Sequence, residues 1–229
     1  TGVVGARRRG IEEATGEWIA FLDADDRWLP EKLATQLPVA RRQDRPCLSF
    51  TRYRRVADGD GDIDQPVHPE VDLDARPRQL PYRNFIGNST VLVHRACLER
   101  ADLYPDDPEL NRGGQDYALW LRIAAYFPLV YVPDVLTEYG VHADNRIGTD
   151  PVAHLEGGLL ALKNFHDWAP DRFAGMAGAP YSAVVAYRMG KFLRDAVVYR
   201  DVWPNDAVPR ALQLVAPTAL QRITTFSQG

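Results

Sequence analysis

The stretch GEWIAFLDADDRWLPEKL, residues 16–33, joins a short apolar run to three carboxylates within four residues. The run WIAFL has the length and composition of a strand that is buried on both faces, as strands are in a parallel sheet. Asp23, Asp25 and Asp26 follow it directly. Crowded carboxylates repel one another and are costly to desolvate, so we expect a positive charge to compensate them.

The order of the predicted elements indicates the fold class. Periodic apolar residues predict helices at 3–15, 30–43, 113–127, 152–166 and 181–200, strands at 18–22 and 47–56, a strand running into a helix at 88–100, and two short strands divided by Pro133 at 128–142. Residues 57–79 are polar and rich in Asp and Pro, so we expect a long loop there. Strands that alternate with helices are typical of an α/β protein.

A change in composition near residue 150 divides the chain. We predict an α/β domain in residues 1–148 and a helical C-terminal extension in residues 149–229. Two interpretations stay open for the last predicted helix, residues 181–200. We favour packing against the α/β part, and the alternative is an amphipathic surface that rests on a membrane or a partner.

Composition excludes some classes of protein. The chain has 229 residues, 45% of them hydrophobic, which is enough for a real core, and its net charge of −4 gives no support to nucleic-acid binding. No apolar run approaches the length of a membrane span. Cys47 and Cys97 lie in apolar surroundings, which favours two buried free thiols in a reducing compartment over a disulfide. We therefore expect a cytoplasmic protein.

The carboxylates after the first strand are a candidate metal site. In open α/β sheets, ligands bind beyond the carboxyl ends of strands, and Asp23 and Asp25 lie two residues apart at such an end. Carboxylate oxygens suit Mg²⁺ or Mn²⁺, which typically take one or two protein carboxylates together with substrate phosphates. The pattern fits a nucleotide diphosphate bound through a metal. The alternative is a solvated acidic turn in which Asp26 caps the next helix.

The wider sequence resembles a known family. ARRRGIEEATGEWIAFLDADDRWLPEKLATQL, residues 6–37, is similar to the centre of the family 2 glycosyltransferases, which have the GT-A fold. The resemblance continues less tightly to about residue 145, and Arg8 departs from it, because the family usually has Asn there. It implies a GT-A-like, Rossmann-like mixed sheet flanked by helices, with residues 1–148 as a partial catalytic domain. The family's N-terminal nucleotide-binding segment is not found ahead of Thr1, so we expect it to be missing from this sequence.

The resemblance also implies roles for single residues. Asp25 would coordinate a metal that bridges the two phosphates of the donor, and Asp23 would face the ribose or the metal's water shell. Arg7 would lie near the nucleotide. Trp28 would lean over the sugar pocket, or would form a hydrophobic lid on the following helix. His142 would supply a further metal ligand.

The candidate base is Asp116 in GGQDYALWLR, residues 113–122, where the family usually has Glu-Asp. Gln115 replaces that Glu and is a candidate substrate-binding residue. The alternative for Asp116 is a helix N-cap, and a helix N-terminus would lower the pKa of its carboxyl. Gly140 stands where many relatives carry Arg, so one phosphate or acceptor contact of the family is absent.

The function implied is sugar transfer from a nucleotide-diphospho-sugar to a hydroxyl of a saccharide or lipid-linked acceptor. The reaction would depend on Mn²⁺ or Mg²⁺, invert the anomeric centre and serve cell-surface polysaccharide synthesis, with peripheral contact at the inner face of the membrane as an option. The alternative is a non-catalytic relative that binds a sugar, a nucleotide or a partner. Gln115 and Gly140 favour that alternative.

Overall fold

A computed structural model describes residues 2–57, 66–67, 76–141, 150–199 and 201–215. The helices are α1 Val3–Glu13, α2 Lys32–Arg41, α3 Arg76–Gln79, α4 Arg95–Arg100, α5 Gln115–Ala124, α6 Pro151–Trp168, α7 Pro170–Ala177, α8 Tyr181–Val198 and α9 over 207–215. The strands are β1 Trp18–Ala20, β2 Arg27–Trp28, β3 Leu48–Ala57, β4 Pro66–Val67, β5 Leu92–His94 and β6 Leu129–Val141. His142 and most of the loop predicted at 57–79 lie outside these residues.

The described strands form one mixed sheet in the order β1-β5-β3-β6-β2, with β4 on β3. Among the described strand pairs, β3–β6 alone is parallel. The expectation of a parallel setting for the first strand is wrong, because β1 pairs antiparallel with β5, Ile19 facing Val93. A short apolar run has the same appearance in either setting, since both bury its side chains.

The strand β6 is continuous, although two strands divided by Pro133 are predicted. Thr51 of β3 pairs with Val132 and Arg52 pairs with Val135, so Pro133 and Asp134 form a bulge. Proline has no N–H to give to a ladder, and a bulge leaves its position unpaired. The strand therefore continues past Pro133 towards the site described below.

Most helices lie close to their predicted positions. Periodicity correctly predicts α1, α5, α6 and α8, whereas α2 begins at Lys32, two residues after Pro30. Residues 88–90 form a 3₁₀ turn ahead of β5, and residues 108–112 form another ahead of α5.

The C-terminal helices share the main hydrophobic core with the sheet. Trp120 of α5, Phe165 of α6, Phe173 of α7 and Val184 of α8 are all fully buried in one cluster. The packing interpretation is therefore correct for the first part of α8, while Val197 at its end is 72% exposed. The division of the chain at residues 148 and 149 stays a prediction.

The cysteines behave as predicted. Cys47 and Cys97 are both buried and free. Burial raises the pKa of the Cys47 thiol to about 11 and that of Cys97 to about 12, so both thiols are protonated at neutral pH.

Candidate active site

The carboxylates after β1 lie on a loop, residues 23–26, that we call the acidic loop. The Asp26 N–H donates to the Asp23 carbonyl over 3.1 Å, which closes a turn. The 3₁₀ turn ahead of β5 holds this loop, because the Asp23 N–H donates to Ser89 Oγ over 2.9 Å and Asn88 Nδ2 donates to Asp23 Oδ1 over 2.8 Å. Asn88 and Ser89 are buried, so the acidic loop is anchored to the interior.

Arg7 of α1 supplies the positive charge expected beside these carboxylates. Its Nη2 donates to Asp23 Oδ1, and its Nη1 donates to the hydroxyl of Tyr104 over 2.9 Å. The Arg7 side chain is only 17% exposed. Burial alone would lower the pKa of Arg7, but Tyr104, Asp23 and Asp116 together raise it above its usual value, so the guanidinium stays charged.

Asp116 is the second residue of α5 and is not its N-cap, so the capping alternative is wrong. Gly114 occupies the N-cap position with a φ of 80°. The partly buried Asp116 uses Oδ1 to accept the Tyr117 N–H over 2.7 Å. Burial raises the pKa of Asp116 and nearby Asp23 raises it further, while Arg7 and the Tyr117 N–H oppose the shift. The expected lowering by the helix N-terminus is also wrong, because desolvation is the larger effect.

Arg7 thus links two predicted site residues that are far apart in sequence. Its charge acts on Asp23 of the acidic loop and on Asp116 of α5, and Asp23 in turn affects the pKa of Asp116. Such effects need short distances, so the acidic loop and the start of α5 lie around one guanidinium. Asp25 is exposed on the same loop.

Asp26 binds β6 and does not cap α2. Its Oδ1 accepts the Gly140 N–H over 3.1 Å, whereas α2 begins after Glu31 without a side-chain cap. Burial raises the pKa of Asp26, opposed by Ser89 and the Gly140 N–H. A Cβ added to Gly140 would lie 2.1 Å from the Asp25 carbonyl oxygen. Glycine at position 140 therefore lets the acidic loop pack directly on β6.

Trp28 of β2 is fixed to the turn that holds the acidic loop. Its Nε1 donates to the Ser89 carbonyl over 2.7 Å, and the Lys32 ammonium lies 5.0 Å from the centre of its ring. Lys32 is 1% exposed, and burial lowers its pKa to about 8. The indole is therefore held in place by both its edge and its face.

Glu138 of β6 is a residue of this region that sequence reasoning missed. It is 4% exposed and pairs with Arg27, its neighbour across the β2–β6 ladder, and with Arg54 of β3. Hydrogen bonds from Arg27 and Arg54 lower the pKa of Glu138. A carboxylate within a strand of mostly apolar residues was the available signal.

Two buried acceptor oxygens near these residues have no hydrogen-bond partner among the described residues. They are Oε1 of Gln115, which precedes Asp116, and Oδ1 of Asn88, whose amide holds Asp23. Buried acceptors without partners are uncommon in folded proteins. Each oxygen is therefore a candidate acceptor for a hydroxyl or amide donor.

The acidic loop fits a divalent cation only in part. Within the ranges described above, no three His, Cys, Asp or Glu side chains form a set that could hold a metal by themselves. Asp23 is hydrogen-bonded to Arg7 and Asn88, and Asp25 is the exposed carboxylate of the predicted pair. One carboxylate with diphosphate oxygens and water is an ordinary donor set for Mg²⁺. His142 lies outside the described residues.

Comparison with known proteins finds a family match in the first part of the chain. Residues 1–102 match the protein family described as Glycosyl transferase family 2. These residues belong to glycosyl transferase family 2.

Relatives named as glycosyltransferases match longer stretches of the chain. The chain is 30% identical over 151 residues to the amylovoran biosynthesis glycosyltransferase AmsB of Erwinia amylovora, which covers 63% of this chain and 48% of AmsB. It is 33% identical over 124 residues to UDP-Glc:alpha-D-GlcNAc-diphosphoundecaprenol beta-1,3-glucosyltransferase WfaP of Escherichia coli, covering 53% of this chain and 44% of WfaP. The chain spans about half the length of these two relatives.

A solved structure confirms the predicted fold class. The crystal structure of S. aureus TarS 1-349 in complex with UDP-GlcNAc matches with a TM-score of 0.57 at 13% identity, over 94% of this chain and 60% of that chain. The mixed sheet flanked by helices is therefore GT-A-like. Among the described helices, none is both long and apolar enough to cross a bilayer.

Proposed function

We propose that the chain carries the metal- and base-bearing part of a glycosyltransferase that moves a sugar from a nucleotide-diphospho-sugar to an acceptor hydroxyl with inversion. The single observation that supports this best is the arrangement of Asp23, Arg7 and Asp116. In this arrangement Arg7 connects the acidic loop, which is expected to face the donor, with Asp116, which is expected to act on the acceptor. The family match and the polysaccharide-related name of AmsB agree with it.

Asp116 is the proposed general base. As the acceptor oxygen bonds to the anomeric carbon, its proton passes to a carboxylate oxygen of Asp116, and the bond between that carbon and the diphosphate oxygen breaks with its electrons leaving on the nucleoside diphosphate. A raised pKa makes the carboxylate a better proton acceptor than an exposed Asp. Arg7 opposes that rise and so favours the ionised form of Asp116.

Asp25 is the proposed metal ligand. A divalent cation, when bound, stabilises the negative charge on the departing diphosphate. Asp23 supports this site indirectly, because its carboxylate fixes the acidic loop through Arg7 and Asn88. With so few protein ligands, we expect tight metal binding only when the donor's phosphates are also present.

The lipid-linked sugar named in WfaP points to the acceptor class, a hydroxyl of a saccharide carried on a lipid diphosphate. The unpartnered Oε1 of Gln115, next to the proposed base, would accept a hydrogen bond from a sugar hydroxyl. Trp28 offers an aromatic surface beside the acidic loop for the donor sugar. The ring also lies against Lys32 of α2, as the alternative of a hydrophobic lid on the following helix requires.

A direct test measures UDP release by the chain with Mn²⁺, UDP-glucose or UDP-GlcNAc, and a synthetic lipid diphosphate carrying GlcNAc. Both Asp25→Asn and Asp116→Asn should abolish release, and the exposed Asp134→Asn on the β6 bulge should not. UDP binding with no transfer to any saccharide would favour the non-catalytic alternative. Transfer that survives in Asp116→Asn would refute the proposed base.

A further inference from the structure

The C-terminal helix α6 meets the turn that presents the candidate base. Gly113 and Gly114 precede α5 with φ angles of 141° and 80°, values that L-amino acids with side chains rarely adopt. A Cβ added to Gly114 would lie 2.0 Å from the carbonyl oxygen of Gly157 and 2.7 Å from its carbonyl carbon. The turn and the helix therefore touch backbone to backbone.

Glycine is required at position 157 because there is no room for a side chain, and not because the backbone conformation there needs glycine. It lies inside α6, and its φ is not in the left-handed region, so its backbone would accept alanine. A Cβ at Gly157 would, however, lie 3.0 Å from the Gly113 carbonyl carbon and 3.1 Å from the Gly114 nitrogen. Backbone atoms cannot swing aside as a flexible side chain does, so the turn itself would have to move.

Side-chain contacts hold α6 against the turn on both sides of this point. Arg112 Nη1 lies 3.0 Å from Glu156 Oε1, and these residues directly precede Gly113 and Gly157. Further along, Arg122 of α5 donates to Asn164 Oδ1 of α6 over 2.8 Å. The contact at Gly157 is therefore part of a built interface.

The other side of Asp116 is held by α8. The buried Tyr117 hydroxyl donates to the Leu80 carbonyl over 2.6 Å and accepts from Arg188 Nη1 over 3.0 Å. The neighbours of Asp116 on both sides are thus fixed by helices that follow residue 150. Asp116 itself accepts a local hydrogen bond, from the Tyr117 N–H.

We propose that Gly157 is a positioning residue, which fixes the Gly113-Gly114 turn so that the Asp116 carboxylate faces Arg7 and the acceptor. This rests on the proposed function of Asp116 as the base. Helix α6 then helps to orient the base and does more than stabilise the fold. Substituting Gly157 should shift Asp116 without touching the donor's metal site.

The test compares Gly157→Ala with Gly175→Ala, a helical control in α7 where an added Cβ meets nothing within 4 Å. We expect kcat for UDP-glucose or UDP-GlcNAc transfer to fall about tenfold in Gly157→Ala, because the turn must move by a few tenths of an ångström and a shift of about 1 Å costs about 100-fold, with the KM for the donor changed less than about twofold. Gly175→Ala should keep the parent kcat. A kcat for Gly157→Ala within twofold of the parent, or an equal loss in Gly175→Ala, would overturn the proposal.

A second measurement does not depend on turnover. The ¹³C chemical shift and titration of the Asp116 carboxyl should change in Gly157→Ala and stay unchanged in Gly175→Ala, with both proteins folded by circular dichroism. Arg112→Gln, which weakens the same interface without adding atoms, should move the signal in the same direction by less. If the parent transfers no sugar but Gly157→Ala still moves this signal, the proposed function fails while the positioning holds. An unmoved signal in Gly157→Ala and in Arg112→Gln refutes the positioning.

Discussion

Arg7 donates a hydrogen bond to Asp23 while its charge also stabilises the ionised form of Asp116. One guanidinium on α1 therefore serves the acidic loop and the first turn of α5 together. Because it is largely buried, its charge is screened less than that of a surface arginine. Its removal should affect both sides of the candidate site.

Arg7→Gln should shift the acid limb of the kcat/KM profile to higher pH by about one unit or more, because an adjacent cation lowers a carboxyl pKa by roughly that amount. The measurement is UDP release from pH 5 to 9. Arg9→Gln, which removes a cation paired with Glu13 on the exposed side of α1, is the control. Superimposable profiles for Arg7→Gln and the parent would contradict the assignment.

Gly140→Ala should weaken binding of UDP with Mn²⁺ by about tenfold or more, because its Cβ would lie 2.1 Å from the Asp25 carbonyl and push the acidic loop off β6. Isothermal titration calorimetry measures this directly. Gly10→Ala, where an added Cβ meets nothing within 4 Å, should bind as the parent does. Equal affinity in the two variants would show that the loop does not depend on this contact.

Gln115→Met should raise the KM for the acceptor and leave the free energy of unfolding unchanged or slightly higher. The lost Oε1 has no partner inside the described protein, so its removal costs no internal hydrogen bond. Kinetics at varied acceptor concentration, together with urea unfolding, separate the two effects. A loss of stability without any change in KM would mean that Gln115 is structural.

Lys32→Met should remove a pH dependence of stability. The pKa of Lys32 is lowered from 10.5 to about 8 by burial, so between these values the unfolded chain binds more protons and the parent gains stability as pH rises. The full difference is about 3 kcal/mol, from 1.36 kcal/mol per pKa unit. Urea unfolding at pH 7 and pH 10.5 measures it. An equal gain in parent and variant would place the titration elsewhere.

Sequence patterns predicted the elements whose periodicity is long and regular, above all α5 and α6. They failed at β1, because a run of three strand residues does not show whether its partner strand is parallel or antiparallel. They also failed at Pro133, because a bulge accommodates the proline within one continuous strand. Among the candidate site residues, Arg7, Asp23 and Asp116 do lie together. The roles of these residues stay predictions.

The pKa shifts and the ion pairs of the candidate site could not be predicted from the sequence. Position at a helix start predicted a lowered pKa for Asp116, but burial by distant residues outweighs the helix. The Arg27–Glu138–Arg54 group depends on strand register, and the contact of Gly114 with Gly157 depends on tertiary packing. Neither the strand register nor this tertiary contact can be predicted from local sequence.

The bulge in β6 also determines which insertions and deletions this strand can accept. Between Thr51 and Tyr53 the strand β3 advances two residues, while β6 advances five, from Val132 to Thr137. Side chains alternate between faces, so deleting one codon in this stretch would turn the rest of the strand over. Glu138 would then leave its two arginines. Insertions or deletions of two residues at this point should be tolerated, whereas those of one residue should disrupt the strand.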